Sequence, residues 1–402
     1  MIRIALITTW FPPVKGVAVN RMISFANYLS ENSNFHVDVF SIGVINQEIR
    51  LKENLINYQS KNTSLIDSFK ANRDDSFLKH NLKTIARIII SKISKNRYKN
   101  WIDNTLNQLE KSHIINPYNI IISSYAPEDA HLIALEFIKK HPIVWIADMR
   151  DEMSNNPYIS RSAKNKLRII EKKINNFANC ITSVSKPILN DFKLLCPNVP
   201  QFREIRNGIN HHINIDKWTF PKDNILNIGY FGTFYGDIKP DVFFRTLLTL
   251  LNEIPYKIEF HFYGVHNNFW IPDEFKNKVR IFPSVDYEES IVKMSTMDAN
   301  LLILPKGERK GVYSGKIFDY ISAKRPILAF VDKNDVAAEL ILETDSGYVI
   351  DFDNKIEGRI EILNWIKDVQ NHVSKCASNE QIESLHRKNQ VKKLEETILQ
   401  LL

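Results

Sequence analysis

The chain has 402 residues, 44% hydrophobic and 25% charged, which points to two globular domains and argues against disordered, collagenous or coiled-coil classes. Its 53 Lys and Arg against 46 Asp and Glu give +7, unevenly placed: residues 1–205 carry 28 basic and 18 acidic side chains, a net +10, and residues 206–402 carry 25 and 28, a net −3. The basic half should meet something anionic, whether a phosphate-bearing ligand, an acidic membrane surface or nucleic acid. 

Short apolar runs alternate with longer amphipathic segments, the pattern of βαβ units around a parallel sheet. Ile2–Thr9 reads as a strand. It resembles a short signal core but runs into Trp10-Phe11-Pro12-Pro13 with no small-residue cleavage site. Val19–Ser30 reads as a helix facing Ile23, Ala26, Tyr28 and Leu29 inward, and Val37–Ile42 as the second strand. Asn119–Ser123 and Ile143–Ala147 follow, separated by a helix over Glu128–Lys140, and Asn179–Val184 and Arg203–Ile205 finish a first domain at residue 205. A polar stretch within 206–224 reads as a linker. A second series then runs through Asn227–Phe231, Lys257–Tyr263, Val279–Phe282, Ala299–Leu304, Pro326–Phe330 and Gly347–Ile350, giving a second domain over 225–385 and a final helix over 386–402. Two α/β sheets should bind ligands at the carboxyl ends of their strands. Cys180, Cys196 and Cys376 have no paired spacing, so a reducing cytoplasm is expected. No run approaches the ~18 apolar residues of a membrane span.

Several signatures are missing. There is no G-x-G-x-x-G, no H-E-x-x-H and no zinc spacing. Gly311-Val312-Tyr313-Ser314-Gly315-Lys316 is one residue short of a P-loop, with Ile317 where Ser or Thr would hold magnesium. Asp351-Phe352-Asp353 could hold a divalent metal, but acids after a strand are usually solvated, so no metal and no cofactor are expected. No nucleic-acid reader motif is present.

Four loci carry chemistry. The turn Trp10–Arg21, with its double proline and Gly16, leads into a helix bearing Asn20 and Arg21 and suits a hydroxyl-rich or anionic ligand. Trp145–Asp151 delivers Asp148, Arg150 and Asp151 to one sheet edge, either as sugar contacts and a base or as a brace. Ser314-Gly315-Lys316 opens a helix, which places its N-terminus and Lys316 for a phosphate. Asp319 lies one turn on and can take two bonds from a ribose diol, unless the two are only a helix ion pair. Phe231-Gly232-Thr233 is a glycine turn after a strand, and Lys239 nearby is a second phosphate candidate.

In order along the chain, the Phe11–Arg21 turn, the Trp145–Asp151 strand end, Thr182–Ser185, Asn207–Ile209 and Ser314–Pro326 with Ala337–Gly347 make the sequence resemble the GT-B glycosyltransferases of the family 4 type, found in bacterial surface-polysaccharide and lipopolysaccharide synthesis. The resemblance implies two Rossmann-like domains facing across a cleft, with the last helix crossing back to the first. It implies a nucleotide-diphosphate sugar held by the second domain through Gly232, Thr233, Lys239, Ser314, Gly315, Lys316 and Asp319. A saccharide acceptor, expected to be lipid-linked, would meet Gly16, Asn20, Arg21 and Arg150. Transfer would be metal-independent and retaining, with the leaving phosphate taking the proton, or with Asp151, Asp148 or His131 as a base. The pattern departs where the first of the family's two glutamates falls on Gly311, where Thr233 replaces a frequent arginine, and where Ser124 and Tyr125 stand near the usual histidine. A nucleotide-sugar 2-epimerase and a non-catalytic GT-B-like binding protein remain as alternatives. The basic segment 79–100, with Leu82, Ile85, Ile89 and Ile93 at helical spacing, is expected to meet an anionic bilayer on the inner face of the cytoplasmic membrane.

Overall fold

The computed structural model describes residues 1–14, 17–62, 98–216, 218, 220, 223–234, 236, 238–265, 269–352 and 354–402. The expected bilayer helix over 79–100 falls almost wholly outside the described residues. By contacts the chain forms two units: Met1–Ile205 with Val391–Leu402, and Arg206–Gln390.

The first unit is built on an eight-stranded sheet in the order β3-β4-β2-β1-β5-β6-β7-β8. Its strands are β1 (Ile2–Ile7), β2 (Phe35–Gly43), β3 (Gln47–Lys52), β4 (Leu55–Lys61), β5 (Ile120–Tyr125), β6 (Val144–Met149), β7 (Cys180–Ser183) and β8 (Gln201–Glu204). Only β3 is antiparallel. Residues 4–7 of β1 and 120–122 of β5 are buried in unbroken runs, as parallel strands covered on both faces require. The edge strand β3 is the opposite case: Gln-Glu-Ile-Arg-Leu-Lys is exposed nearly throughout, and its charges guard the open edge.

Helix α1 (Val17–Leu29) buries Met22, Phe25, Ala26 and Leu29, an i, i+3, i+4, i+7 stripe. Ile23 and Tyr28, expected inward, are only half-buried at the margin of this stripe. Helix α2 (Lys99–Ile115) packs on β2 and β4, and α3 (Asp129–Ile138) follows β5. Helix α4 (Arg161–Phe177), N-capped by Ser160, and α5 (Lys186–Leu195) complete the first series.

The second unit has a wholly parallel six-stranded sheet in the order β11-β10-β9-β12-β13-β14. These are β9 (Ile225–Phe231), β10 (Lys257–Tyr263), β11 (Val279–Phe282), β12 (Ala299–Ile303), β13 (Ile327–Val331) and β14 (Gly347–Asp351). In chain order within the unit this is 3-2-1-4-5-6, the doubly wound order, with its switch point between β9 and β12. Side-chain alternation fills both faces: Leu328 and Phe330 of β13 enter one core, and Ile327, Ala329 and Val331 enter the other. The connecting helices are α6 (Asp241–Leu248), α7 (Tyr287–Ser295), α8 (Gly315–Ser322), α9 (Val336–Glu343), α10 (Lys355–Gln370) and α11 (Asn379–Ser384).

The described residues of 206–224, expected as a linker, belong to the second unit. Ile209 and Ile215 join one core and Trp218 the other, and Trp218 Nε1 donates to Asp298 at 3.0 Å. The last helix, α12 (Arg387–Leu401), places Val391, Leu394 and Ile398 in the core of the first unit. Among the described residues, no helix is long and apolar enough to cross a membrane.

Candidate functional site

The carboxyl ends of β9, β10 and β11 carry a row of stacked rings. Phe231 lies 4.8 Å from Tyr263, and Tyr263 lies 4.7 Å from Phe282, centroid to centroid. Phe231 and Tyr263 floor a cavity of about 240 Å3. One wall is the turn after β9, with Gly232 and Thr233, and another is α8, with Lys316 and Asp319.

Gly232 is held at φ +120, where its N–H donates to the Tyr263 carbonyl at 2.9 Å. A Cβ there would lie 2.7 Å from Lys316 Cε and 2.9 Å from its Nζ, so glycine is what lets the lysine cross the turn. Lys316 Nζ donates to the Tyr230 hydroxyl at 2.7 Å and lies 4.1 Å from the centre of that ring. Thr233 Oγ1 donates to the Gly264 carbonyl at 3.1 Å, and both residues line the cavity. Burial lowers the Lys316 pKa to about 8.

Asp319 sits one turn along α8. Its Oδ1 accepts from the Tyr287 hydroxyl at 2.8 Å. Burial raises its pKa to about 6, against the opposing pull of that bond and of the Arg387 charge. Ser314 is the N-cap of α8, yet its side chain makes no capping bond. Ile317 N–H donates to the Ser314 carbonyl at 3.2 Å, and the positive end of the helix dipole lies at this turn. The cavity thus offers a cation and a carboxylate one turn apart on one helix, which suits a nucleoside diphosphate, while Ser314 and Gly315 at the helix start do not line it.

Ser284, Val285, Ser290 and Met294 also line this cavity, and sequence reading missed them and Tyr287. The fold brings them there: β11 is the edge strand, and α7, which follows it, packs back on β9 and α8. Lys239 is exposed and does not line the cavity. Gly311, where the resemblance would put a glutamate, has φ +82 and donates its N–H to Asp335 Oδ1 at 2.7 Å.

In the first unit the expected residues do other work. Arg21 and Asp148 are 1% and 0% exposed and form a bidentate pair, Nη2 to Oδ1 at 2.6 Å and Nε to Oδ2 at 3.1 Å. Thr182 and Ser124 donate to the same carboxylate at 2.7 and 2.8 Å, and Arg21 Nη1 donates to the Ile205 carbonyl at 2.7 Å. Burial would raise the Asp148 pKa, but the Arg21 guanidinium and these bonds hold it below the ordinary range. The pair braces α1 against the sheet, so Arg21, expected as an acceptor contact, and Asp148, expected as a base, are bonded to each other in this structure. His131 is likewise 0% exposed. Its Nδ1 meets Ser123 Oγ at 2.7 Å, and burial lowers its pKa to about 4. Its Nε2 is buried with no hydrogen-bond partner among the described residues. Arg150 and Asp151 pair at 3.1 Å in a half-buried position, and Asn20 is half-buried on α1. Gly16 lies outside the described residues.

No protein-family model matches the chain, and no curated protein does. Solved structures do. A sucrose-phosphate synthase from Thermosynechococcus elongatus is similar over 100% of this chain and 99% of its own, at 13% identity and a TM-score of 0.63. Anabaena HepE in complex with UDP matches over 100% of both chains at 15% identity and 0.62. The lipopolysaccharide outer core galactosyltransferase WaaB, in its apo form, matches over 100% of both at 12% and 0.60. Likeness over the whole length at such low identity is a statement about fold, and the fold of this chain is that of the GT-B glycosyltransferases.

Proposed function

We propose that this protein transfers a sugar from a nucleoside-diphosphate sugar to a saccharide acceptor. The observation that carries the reading is the placement of Lys316 and Asp319, one turn apart on α8, in a cavity at the switch point of the second sheet. HepE, of similar fold, is a complex with UDP, which makes UDP-sugars the first donors to test.

Lys316 and the start of α8, with Ser314 and Gly315, hold the diphosphate, and Lys239 assists from the surface. Asp319 takes the ribose hydroxyls once Tyr287 yields. As the bond from the anomeric carbon to the phosphate oxygen breaks, negative charge grows on the leaving diphosphate, and these groups stabilise it without a metal. The acceptor oxygen bonds to the anomeric carbon on the face the phosphate leaves, which retains configuration, and its proton passes to the leaving phosphate. Asn20, Arg150 and Asp151 are the first-unit contacts for the acceptor, with Asp151 the alternative base. A lipid-linked acceptor at the inner face of the cytoplasmic membrane, in surface-polysaccharide synthesis, completes the reading.

The test is release of nucleoside diphosphate from a panel of nucleotide sugars, with and without saccharide acceptors. Acceptor-stimulated release with a new glycosidic product supports transfer. Isomerised donor with no product would make the protein an epimerase, and no turnover of any donor would leave only binding.

A further inference from the structure

Strands β3 and β4 and helix α2 of the first unit enclose a second concavity, of about 360 Å3. Six carboxamides line it: Asn46, Gln47 and Gln59 from the hairpin side, and Asn104, Asn107 and Gln108 from the helix. Tyr58 and Ser60 add hydroxyls, and Glu48 and Lys111 contribute one charge of each sign. No Leu, Ile, Val, Phe or Met is among the described residues that line it.

The composition selects a ligand class. Among the described lining residues the charges cancel, so a phosphate or nucleotide finds no excess of cations there. The walls are polar, so an apolar molecule finds no surface to bury against. A carboxamide offers two donors and an acceptor oxygen, and a hydroxyl both donates and accepts. A dense array of carboxamides therefore matches a neutral, polyhydroxylated chain.

The lining is pre-organised. Gln59, 5% exposed, donates from Nε2 to the Pro12 carbonyl at 3.1 Å and accepts from Gln47 Nε2 at 2.6 Å. Gly43 leaves room for it: a Cβ there would lie 2.6 Å from Gln59 Cβ. The Tyr58 ring is stacked on Phe40 at 5.2 Å. On α2, Asn104, Asn107, Gln108 and Lys111 recur at i, i+3, i+4 and i+7, so a single polar stripe faces the concavity, while Trp101, Thr105 and Leu109 are buried. The bond from Gln59 to Pro12 joins the floor to the turn after β1.

We propose that this groove binds an uncharged oligosaccharide, the extended part of the acceptor glycan beyond the sugar that reacts. The inference rests on the transferase reading for its purpose, but its chemistry stands on the groove. The test uses the full-length protein on a printed array of neutral and acidic oligosaccharides, beside the double variant Asn107→Ala/Gln108→Ala. Both positions are on the surface of α2, and an unchanged melting temperature shows the variant folded. Neutral glycans should bind, and the variant should bind them about tenfold more weakly, the loss of one or two neutral hydrogen bonds. Undiminished binding by the variant, or binding confined to acidic glycans, overturns the proposal. UDP affinity on the same preparation separates the two readings. UDP bound with no glycan bound overturns the groove alone; neutral glycan bound with no UDP bound supports the groove and removes the donor assignment.

Discussion

Lys316 is a cation whose surroundings favour losing its proton. Its neighbours are the Tyr230 ring and the Gly232 turn, and burial brings its pKa to about 8, so the ammonium is charged below that pH and neutral above it. UDP affinity should hold through neutrality and fall as pH rises through about 8. The fall should not exceed the roughly tenfold to hundredfold worth of one charge-assisted bond. In Lys316→Arg the fall should vanish, because a guanidinium does not deprotonate. Titrations of UDP across this range check it, and an equal fall in Lys316→Arg would assign the alkaline limb to another group. Asp148 makes the opposite case, a carboxylate saturated with donors. Asp148→Asn leaves the Arg21 charge buried without its partner and should cost about 3–5 kcal/mol in denaturant unfolding, with UDP affinity unchanged in the folded protein. A variant with the wild-type midpoint but no turnover would restore Asp148 as the base.

Elements matter here mainly by what they bury. Val391, Leu394 and Ile398 of α12 recur near helical spacing and enter the core of the first unit. Leu394→Ala should therefore cost about 2–5 kcal/mol, read as a lower denaturant midpoint, whereas a change under about 0.5 kcal/mol would show that this helix adds little to that core. The elements legible in sequence were those whose burial leaves an apolar run. Ala299–Leu304 and Pro326–Phe330 match the wholly buried β12 and β13 to within one residue at each end. The hairpin β3–β4 was not legible, because Gln47–Lys52 is an exposed edge strand with charges where a core strand has valine and isoleucine. Helices α2 and α4 leave a faint trace in sequence because polar residues outnumber the few buried apolar ones. In the candidate site, Lys316 and Asp319 were legible because one helical turn joins them. The bonds from Tyr287 to Asp319 and from Arg21 to Asp148 were not, because they span 32 and 127 residues and depend on strand order.

Both units wind their sheets on the same plan, but they treat its ligand-binding end differently. In the first, the region around β5 and β6 is closed by the Arg21–Asp148 pair with Ser124 and Thr182. In the second, the corresponding end is open, with a half-buried lysine and carboxylate lining a cavity. The excess positive charge of residues 1–205 lies outside the proposed nucleotide site, whose cavity is lined by Lys316 in the net-negative half. On this difference between the halves rests our proposal that the second cavity is the donor site. Calorimetric titration of UDP into the full-length protein, Lys316→Ala and Asp319→Asn tests that most directly. The account predicts one site per chain in the wild type and affinity weakened by about 1.5–3 kcal/mol in Lys316→Ala, with a smaller loss in Asp319→Asn. Wild-type affinity in both variants would contradict it.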